Sequence, residues 1–352
     1  MNLRGIKVLV TGGLGFIGSN LAIRLVREGA EVTIVDPLLP GCGGNLHNIE
    51  PVRDQVQLLR ADIAEATGFR DAIAASRIIF NLAGEISHIH SMQFPERDLQ
   101  VNTVAQLRFL MECKTVNRGV RIIYAGTRQI YGVPSYLPVD ENHPIQPVDF
   151  NGVHKFAATR YHLMLSSMGE LDARVLRLTN VYGPRMALDV TCQGFLSTYL
   201  RRLILGQQLE IFGSGEQLRD PVYVDDAVEA FLAAARSDEP RSRSYNVGGP
   251  EALPLSEIAR TAASVAHGPE PIVRPFPPER RAIDIGSYCT NSSRIERELG
   301  WKPVTSFREG VERTLAYYRA QLPHYLDPKS PEPVCKMPEH SGTPWRLTYA
   351  EV

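Results

Sequence analysis

Apolar residues in the first half of the chain follow two alternating rhythms. Short β-rich runs (Ile6–Thr11, Glu31–Val35, Val56–Arg60, Arg77–Ala83, Arg121–Ala125 and Arg174–Leu178) are separated by stretches with helical spacing. The helical stretches are Gly18–Glu28, a short helix ending at Asp71–Ser76, Asp98–Val116 and Gly152–Ser167. Strands and helices in strict alternation predict an α/β fold: a doubly wound parallel sheet with right-handed crossovers. Beyond Tyr182 the rhythm changes. Helical segments (Cys192–Leu205, Asp225–Arg236, Leu255–Ala266, Ser293–Leu299 and Phe307–Ala320) are split by short strands such as Leu209–Phe212 and Ser244–Val247. This predicts a smaller, mixed α/β C-terminal domain over the carboxyl ends of the sheet, where open α/β folds take their ligands. The expected division is 1–180 for the sheet domain and 181–322 for the second, with segments around 222–249 packing back on the first. Arg274–Pro278 is expected to be a loop. The prolines of the tail, residues 323–352, argue against helix, so it is expected to be either disordered or draped over the surface.

Composition narrows the classes of function. With 38 basic and 39 acidic residues, the net charge of −1 removes the electrostatic case for nucleic-acid binding. No apolar run approaches the roughly 20 residues that span a bilayer. The N-terminal apolar stretch runs straight into a glycine loop, which is not a secretory pattern. Cys42, Cys113, Cys192, Cys289 and Cys335 are odd in number and far apart, so neither a disulfide framework nor a metal site is expected. A reducing cytoplasm fits.

The first chemical signal lies where strand one meets helix one. Gly12, Gly15 and Gly18 in Thr11-Gly12-Gly13-Leu14-Gly15-Phe16-Ile17-Gly18 are spaced by three and open a helix directly. That spacing permits a tight turn, close backbone approach to a pyrophosphate and close helix–strand packing, as in a Rossmann-type fold. Eighteen residues past Gly18, Asp36 ends strand two. A carboxylate there accepts from a ribose 2′-hydroxyl and repels a 2′-phosphate, which selects NAD over NADP. Asp62 and Ile63 follow strand three and could flank the adenine. Leu82, Ala83 and Gly84 end strand four with small residues where a cofactor backbone would pass.

These residues resemble the extended short-chain dehydrogenase/reductase superfamily, and more narrowly its NAD-dependent nucleotide-sugar epimerases and dehydratases. The likeness covers residues 5 to 320. Its further landmarks are Val101-Asn102, Tyr131-Gly132, the run Asn180 to Arg185, Arg219-Asp220 ahead of Tyr223-Val224-Asp225-Asp226, and Leu299-Gly300-Trp301. The resemblance implies an NAD cofactor near Phe16, Ile17 and Asn102, and a nucleotide-diphosphate sugar as substrate. It puts Thr127 on a substrate oxygen and makes Lys155 the active-site lysine. A tyrosine is then expected four residues before Lys155, on the same helical face. Position 151 is asparagine.

That departure matters because a tuned phenol can take a sugar proton whereas a carboxamide only forms hydrogen bonds. Another group must serve, or the chemistry needs no phenolate, or redox activity is lost. Glu85 and His88 are the preferred substitutes, with Ser87, Tyr136, His143 and His154 nearby by family geometry. A second departure is Arg128-Gln129, directly after Thr127, where dehydratase relatives carry an Asp-Glu pair. Dehydration across C5 and C6 is therefore not expected, and Gln129 counts against decarboxylation as well.

The resemblance also implies a pyrophosphate clamp from Asn180, Arg219 and Arg281, with Arg185 on the substrate. Similar proteins dimerise through the helices that correspond to Asp98–Val116 and Gly152–Ser167. Phe109, Leu110, Phe156 and Met164 could form that homodimer face or be core. The expected activity is epimerisation through a transient 4-keto sugar. Lyase chemistry on a uronate sugar is one alternative, and an NAD-loaded binding protein without hydride transfer is another.

Overall fold

The computed structural model describes residues 1–190, 194–238, 242–277, 281 and 283–327. Seven strands form one sheet: β1 (Lys7–Thr11), β2 (Glu31–Val35), β3 (Val56–Leu59), β4 (Ile78–Asn81), β5 (Arg121–Thr127), β6 (Asp172–Leu178) and β7 (Arg243–Val247). Their spatial order is β7-β6-β5-β4-β1-β2-β3 and every pairing is parallel. The order reverses between β1 and β4, which opens the ligand crevice of a doubly wound sheet at their carboxyl ends. Alternation along the strands feeds two cores. Val8, Val10 and Phe80 face helices α1 (Phe16–Arg27) and α8 (Val224–Arg236). Leu9 and Ile79 face the other side, against Ile73 of α2 (Arg70–Ala75) and Phe109 of α5 (Ala105–Val116).

Between α2 and α5 lie two short helices, α3 (His88–Gln93) and α4 (Pro95–Leu99); after β5 comes the long α6 (Phe150–Ser167). Among the described residues the remaining α-helices are α7 (Phe195–Ile204), α9 (Leu255–Ala266), α10 (Ser293–Leu299) and α11 (Phe307–Gln321). Paired short segments join them: Val181–Tyr182 with Val222–Tyr223, Glu210–Phe212 with Ile272–Arg274, and Leu218–Arg219 with Leu253–Pro254. Among the described residues no helix is long and apolar enough to cross a membrane.

Two expectations need correction. The single helix expected over Asp98–Val116 begins at Pro95 and passes through a π turn at Gln100–Val104. π turns interrupt a helix where side chains have local work to do. Here Asn102 and Thr103 turn inward, and Thr103 Oγ1 donates to the His154 carbonyl at 3.3 Å. Arg274 ends a strand rather than opening a loop, and Pro278 lies outside the described residues, as do Cys192 and everything past Asp327. Of the two places left open for Phe109 and Leu110, dimer face or core, both take the core, where they are fully buried. The last described residues pack on the sheet domain. Leu322–His324 forms a 3-10 turn, His324 stacks on His47 with ring centroids 3.7 Å apart, and Tyr325 donates to Asn48 Oδ1 at 2.6 Å.

Candidate active site

The glycine loop is closed by contacts that exclude side chains. A Cβ on Gly18 would stand 2.2 Å from the Gly12 carbonyl oxygen, and one on Gly12 (φ +68°) would stand 2.9 Å from the Leu82 oxygen. Gly15 caps α1 without a side-chain hydrogen bond, so the helix start presents backbone N–H groups. Phe16 and Ile17 begin that helix and pack, partly buried, on the core. Asp36 is buried at the end of β2. Its Oδ2 accepts from Leu14 N (3.0 Å) and its Oδ1 from Leu38 N (2.8 Å), so the carboxylate pins the glycine loop. Burial raises its pKa, against the lowering effect of those two donors. A carboxylate has about four acceptor sites, which leaves capacity for a ribose hydroxyl. Asp36→Ala is expected to weaken NAD binding about 10- to 100-fold in calorimetry, on the scale of a hydrogen bond to a charged group, and to narrow the preference over NADP. Asp62 caps the 3-10 turn Ile63–Phe69 by accepting from Ala64 N (2.8 Å), with Ile63 buried beside it.

The floor of the site is built around Gly84. Leu82 N and Ala83 N donate to Thr11 O and Thr11 Oγ1, which carries β4 across to β1. At Gly84 (φ +153°) a Cβ would lie 2.7 Å from both Asn102 Oδ1 and Lys155 Nζ. Asn102 accepts from Glu85 N (3.1 Å) and donates to Glu85 O (3.0 Å), locking the loop. Lys155 is 5% exposed, its ammonium lies 5.6 Å from the Tyr124 ring centroid, and it makes no hydrogen bond to the described residues. Burial pushes its pKa down to about 8, with Asp98 acting in the opposite direction. Tyr124 offers Lys155 its ring; the phenol itself is buried and has no partner among the described residues.

Asn151 is 1% exposed and donates to Glu85 O (3.0 Å) and to Asp98 Oδ2 (2.9 Å). The other Asp98 oxygen meets His154 Nδ1 at 2.7 Å. Asn151 therefore works as a strut between α6, α4 and the loop after β4.

A second cluster stands beside it. Thr127, at the end of β5, accepts at Oγ1 from Gln129 N (3.2 Å). Gln129 Nε2 donates to Asp149 Oδ2 (3.3 Å), and His88 Nδ1 lies 3.0 Å from that same oxygen. Glu85 is committed elsewhere: its Oε1 receives Arg97 Nε at 2.7 Å and Nη2 at 2.6 Å. Ser87 caps α3 by accepting from His90 N (3.1 Å). Asp98, Asp149 and the engaged state of Arg128 escaped the sequence reading. Asp149 carried one usable signal, an acid three residues ahead of Gly152 at a helix start.

At the substrate end, Arg128 is buried over the Tyr288 ring (4.8 Å) and donates to Asn180 Oδ1 (3.3 Å) and Gln129 Oε1 (3.2 Å). Arg219 donates to Leu218 O (2.7 Å) and Gly286 O (2.5 Å), and lies 3.7 Å from Asp284. Burial, reinforced by repulsion from Arg128, lowers the Arg219 pKa to about 10. Arg219 and Asp284 also line a cavity of about 250 Å³ with Phe195, Tyr199, Phe212 and Phe276. The other two arginines are placed differently. Arg281 is exposed. Arg185 (φ +72°) donates to Asn48 O and Asn20 Oδ1, both at 3.0 Å, and stacks over Tyr317, which fastens its loop to α1.

A glycine loop, a carboxylate ending β2 and a buried lysine beside Gly84 define an NAD-binding α/β enzyme. The chain belongs to the NAD dependent epimerase/dehydratase family, whose profile matches residues 8–248. It is 32% identical to a UDP-glucose 4-epimerase of Mycolicibacterium smegmatis over 318 residues, 89% of this chain and 98% of that one. It is 30% identical to UDP-glucuronic acid decarboxylase 1 of Xenopus tropicalis, over 90% of this chain and 73% of that one. Among solved structures, the UDP-glucose 4-epimerase of Thermotoga maritima with UDP-glucose superposes with a TM-score of 0.81 at 27% identity, covering 90% of this chain and 99% of that one.

Proposed function

We propose that this chain is an NAD-dependent nucleotide-sugar 4-epimerase, an isomerase and not a lyase, working through a transient 4-keto sugar. The observation that carries this reading is the buried, unbonded Lys155 ammonium set against Gly84 beside the glycine loop. Bound NAD would supply a reversible acceptor for hydrogen at C4 of the sugar. Lys155 would hold the nicotinamide ribose, Thr127 a sugar oxygen, and Asn102 the shape of the loop between them. Asn151 stands where the family resemblance expects a tyrosine and serves as a strut. Arg219, Arg128 and Asn180 would take the pyrophosphate, with the aromatic cavity receiving the nucleoside. Gln129 has no carboxyl proton to give, and its amide is occupied by Asp149 and Arg128, which favours epimerisation over elimination or decarboxylation.

We further propose that the enzyme is cytoplasmic and divides near residue 180. We expect a homodimer through the outer faces of α5 and α6, where Leu107, Met111, Val153 and Met164 are 37% to 48% exposed. Incubating the NAD-loaded protein with UDP-glucose, UDP-galactose and UDP-glucuronate, read by NMR, tests the reaction. Interconversion of 4-epimers supports it. Release of CO2 from UDP-glucuronate would make the enzyme a lyase, and NAD binding without any turnover would make it a binding protein.

A further inference from the structure

Every other proton acceptor considered for this site is already engaged. Glu85 is paired with Arg97. His143 donates from Nδ1 to Pro144 O (2.8 Å) and accepts at Nε2 from Ser135 N (2.9 Å). His154 is held by Asp98, and Tyr136 donates to Asp140 Oδ1 at 2.9 Å. His88 differs. Its Nδ1 faces Asp149, while its Nε2 has no partner among the described residues and its side chain is 32% exposed. Asp149 is almost wholly buried, accepts from Gly152 N (2.7 Å) at Oδ1 and from Gln129 at Oδ2. Burial would raise its pKa, but His88 and these donors outweigh burial and lower it, so it stays a carboxylate. The Nδ1–H direction falls short of a straight hydrogen bond; contacts of catalytic groups commonly tighten on substrate binding.

We propose that His88 is the proton acceptor of the reaction and that Asp149 is its positioning residue, selecting the Nδ1–H form so that Nε2 presents a lone pair to the sugar. The proposal rests on the epimerase reading above. Gln129 links the two sides of the site, since its backbone N–H meets Thr127 Oγ1 and its side chain meets Asp149. In the oxidative half-reaction the O4–H bond would break, its proton passing to His88 Nε2 and its electron pair forming C4=O, while bound NAD would supply the acceptor for the hydride leaving C4. In the reverse half-reaction His88 would return its proton to O4 and the hydride would return to the opposite face of the ketone, inverting C4. The arrangement follows the general logic of a carboxylate fixing a histidine tautomer.

Two measurements on the NAD-loaded full chain decide it. Nitrogen NMR of the histidines is expected to show His88 as the Nδ1–H tautomer, and Asp149→Asn, which keeps a capping oxygen for α6, is expected to abolish that preference. In single turnovers with UDP-glucose, UDP-galactose and UDP-glucuronate, His88→Gln is expected to slow nicotinamide reduction about 10²- to 10⁴-fold, while UDP-glucose still binds within about threefold of the parent. An Nε2–H tautomer, a tautomer indifferent to Asp149→Asn, or an unchanged rate in His88→Gln overturns the dyad and leaves the epimerase reading standing. If the parent protein reduces its nicotinamide with none of the sugars, the epimerase reading fails, and the tautomer result alone decides whether His88 and Asp149 form the proposed pair.

Discussion

Replacing Lys155 with methionine is expected to abolish turnover and, in the same protein, to raise the melting temperature of the cofactor-free chain. The two effects share one cause. The ammonium is buried, lies over an aromatic ring and donates to no described residue. Burial takes its pKa from 10.5 down to about 8. At 1.36 kcal/mol per unit, that shift amounts to roughly 3 kcal/mol of penalty on the charged form at neutral pH. Methionine fills similar space without the charge, so it removes the desolvation penalty that burial places on the ammonium. The sign of the pH dependence follows. The unfolded chain binds the Lys155 proton more tightly than the folded one, so the lysine penalty is full below about pH 8 and is relieved as pH climbs toward 10.5. Melting curves of parent and Lys155→Met protein should therefore differ most near neutrality and converge in alkali. A variant that melts lower than its parent near pH 7 would mean that Lys155 supports the fold, against the role proposed for it here.

The same residue shows what a sequence can and cannot carry. The three glycines and Asp36 rest on local constraints, a tight turn and a strand end, whereas Thr127 and Lys155 are assigned only through the family resemblance. The strands rest on a local constraint too, since Val8 and Leu9 declare opposite faces by alternation alone. The π turn at Gln100–Val104 was not, because the apolar pattern continues through it unbroken. Nor was the pairing of His88 with Asp149, 61 positions apart, or of Asn151 with Asp98, 53 positions apart. In both cases the chain supplies ordinary polar residues, and only the packing of α3, α4 and α6 decides which of them meet. Glu85 illustrates the converse. As a sequence it was as good a base as His88, and a single arginine twelve residues later removes it from the choice.

Gly18→Ala is expected to lose NAD binding altogether and to destabilise the cofactor-free protein, whereas Gly15→Ala is expected to lose NAD affinity with little change in melting temperature. The contrast comes from what each new methyl would meet. At Gly18 it would stand 2.2 Å from the Gly12 carbonyl oxygen and 2.9 Å from Gly13 Cα, both backbone atoms. No rotamer change relieves that, so α1 must move away from β1 or the loop must open. Either movement disturbs Leu14, whose N–H is fixed to Asp36 and whose side chain is fully buried in the core. Overpacking at such a site costs about 1–3 kcal/mol. At Gly15 the nearest atom is the same carbonyl at 3.2 Å, a contact that a shift of a few tenths of an ångström relieves. The space beyond it is where the backbone must approach a pyrophosphate, so the methyl there obstructs the ligand and not the fold. Thermal melts with and without NAD, run on both variants, separate the two effects. Equal destabilisation of the apoproteins would show that the loop has slack at Gly18 that the contact distances deny, and retained NAD-dependent stabilisation in Gly15→Ala would place the cofactor phosphates away from this helix start.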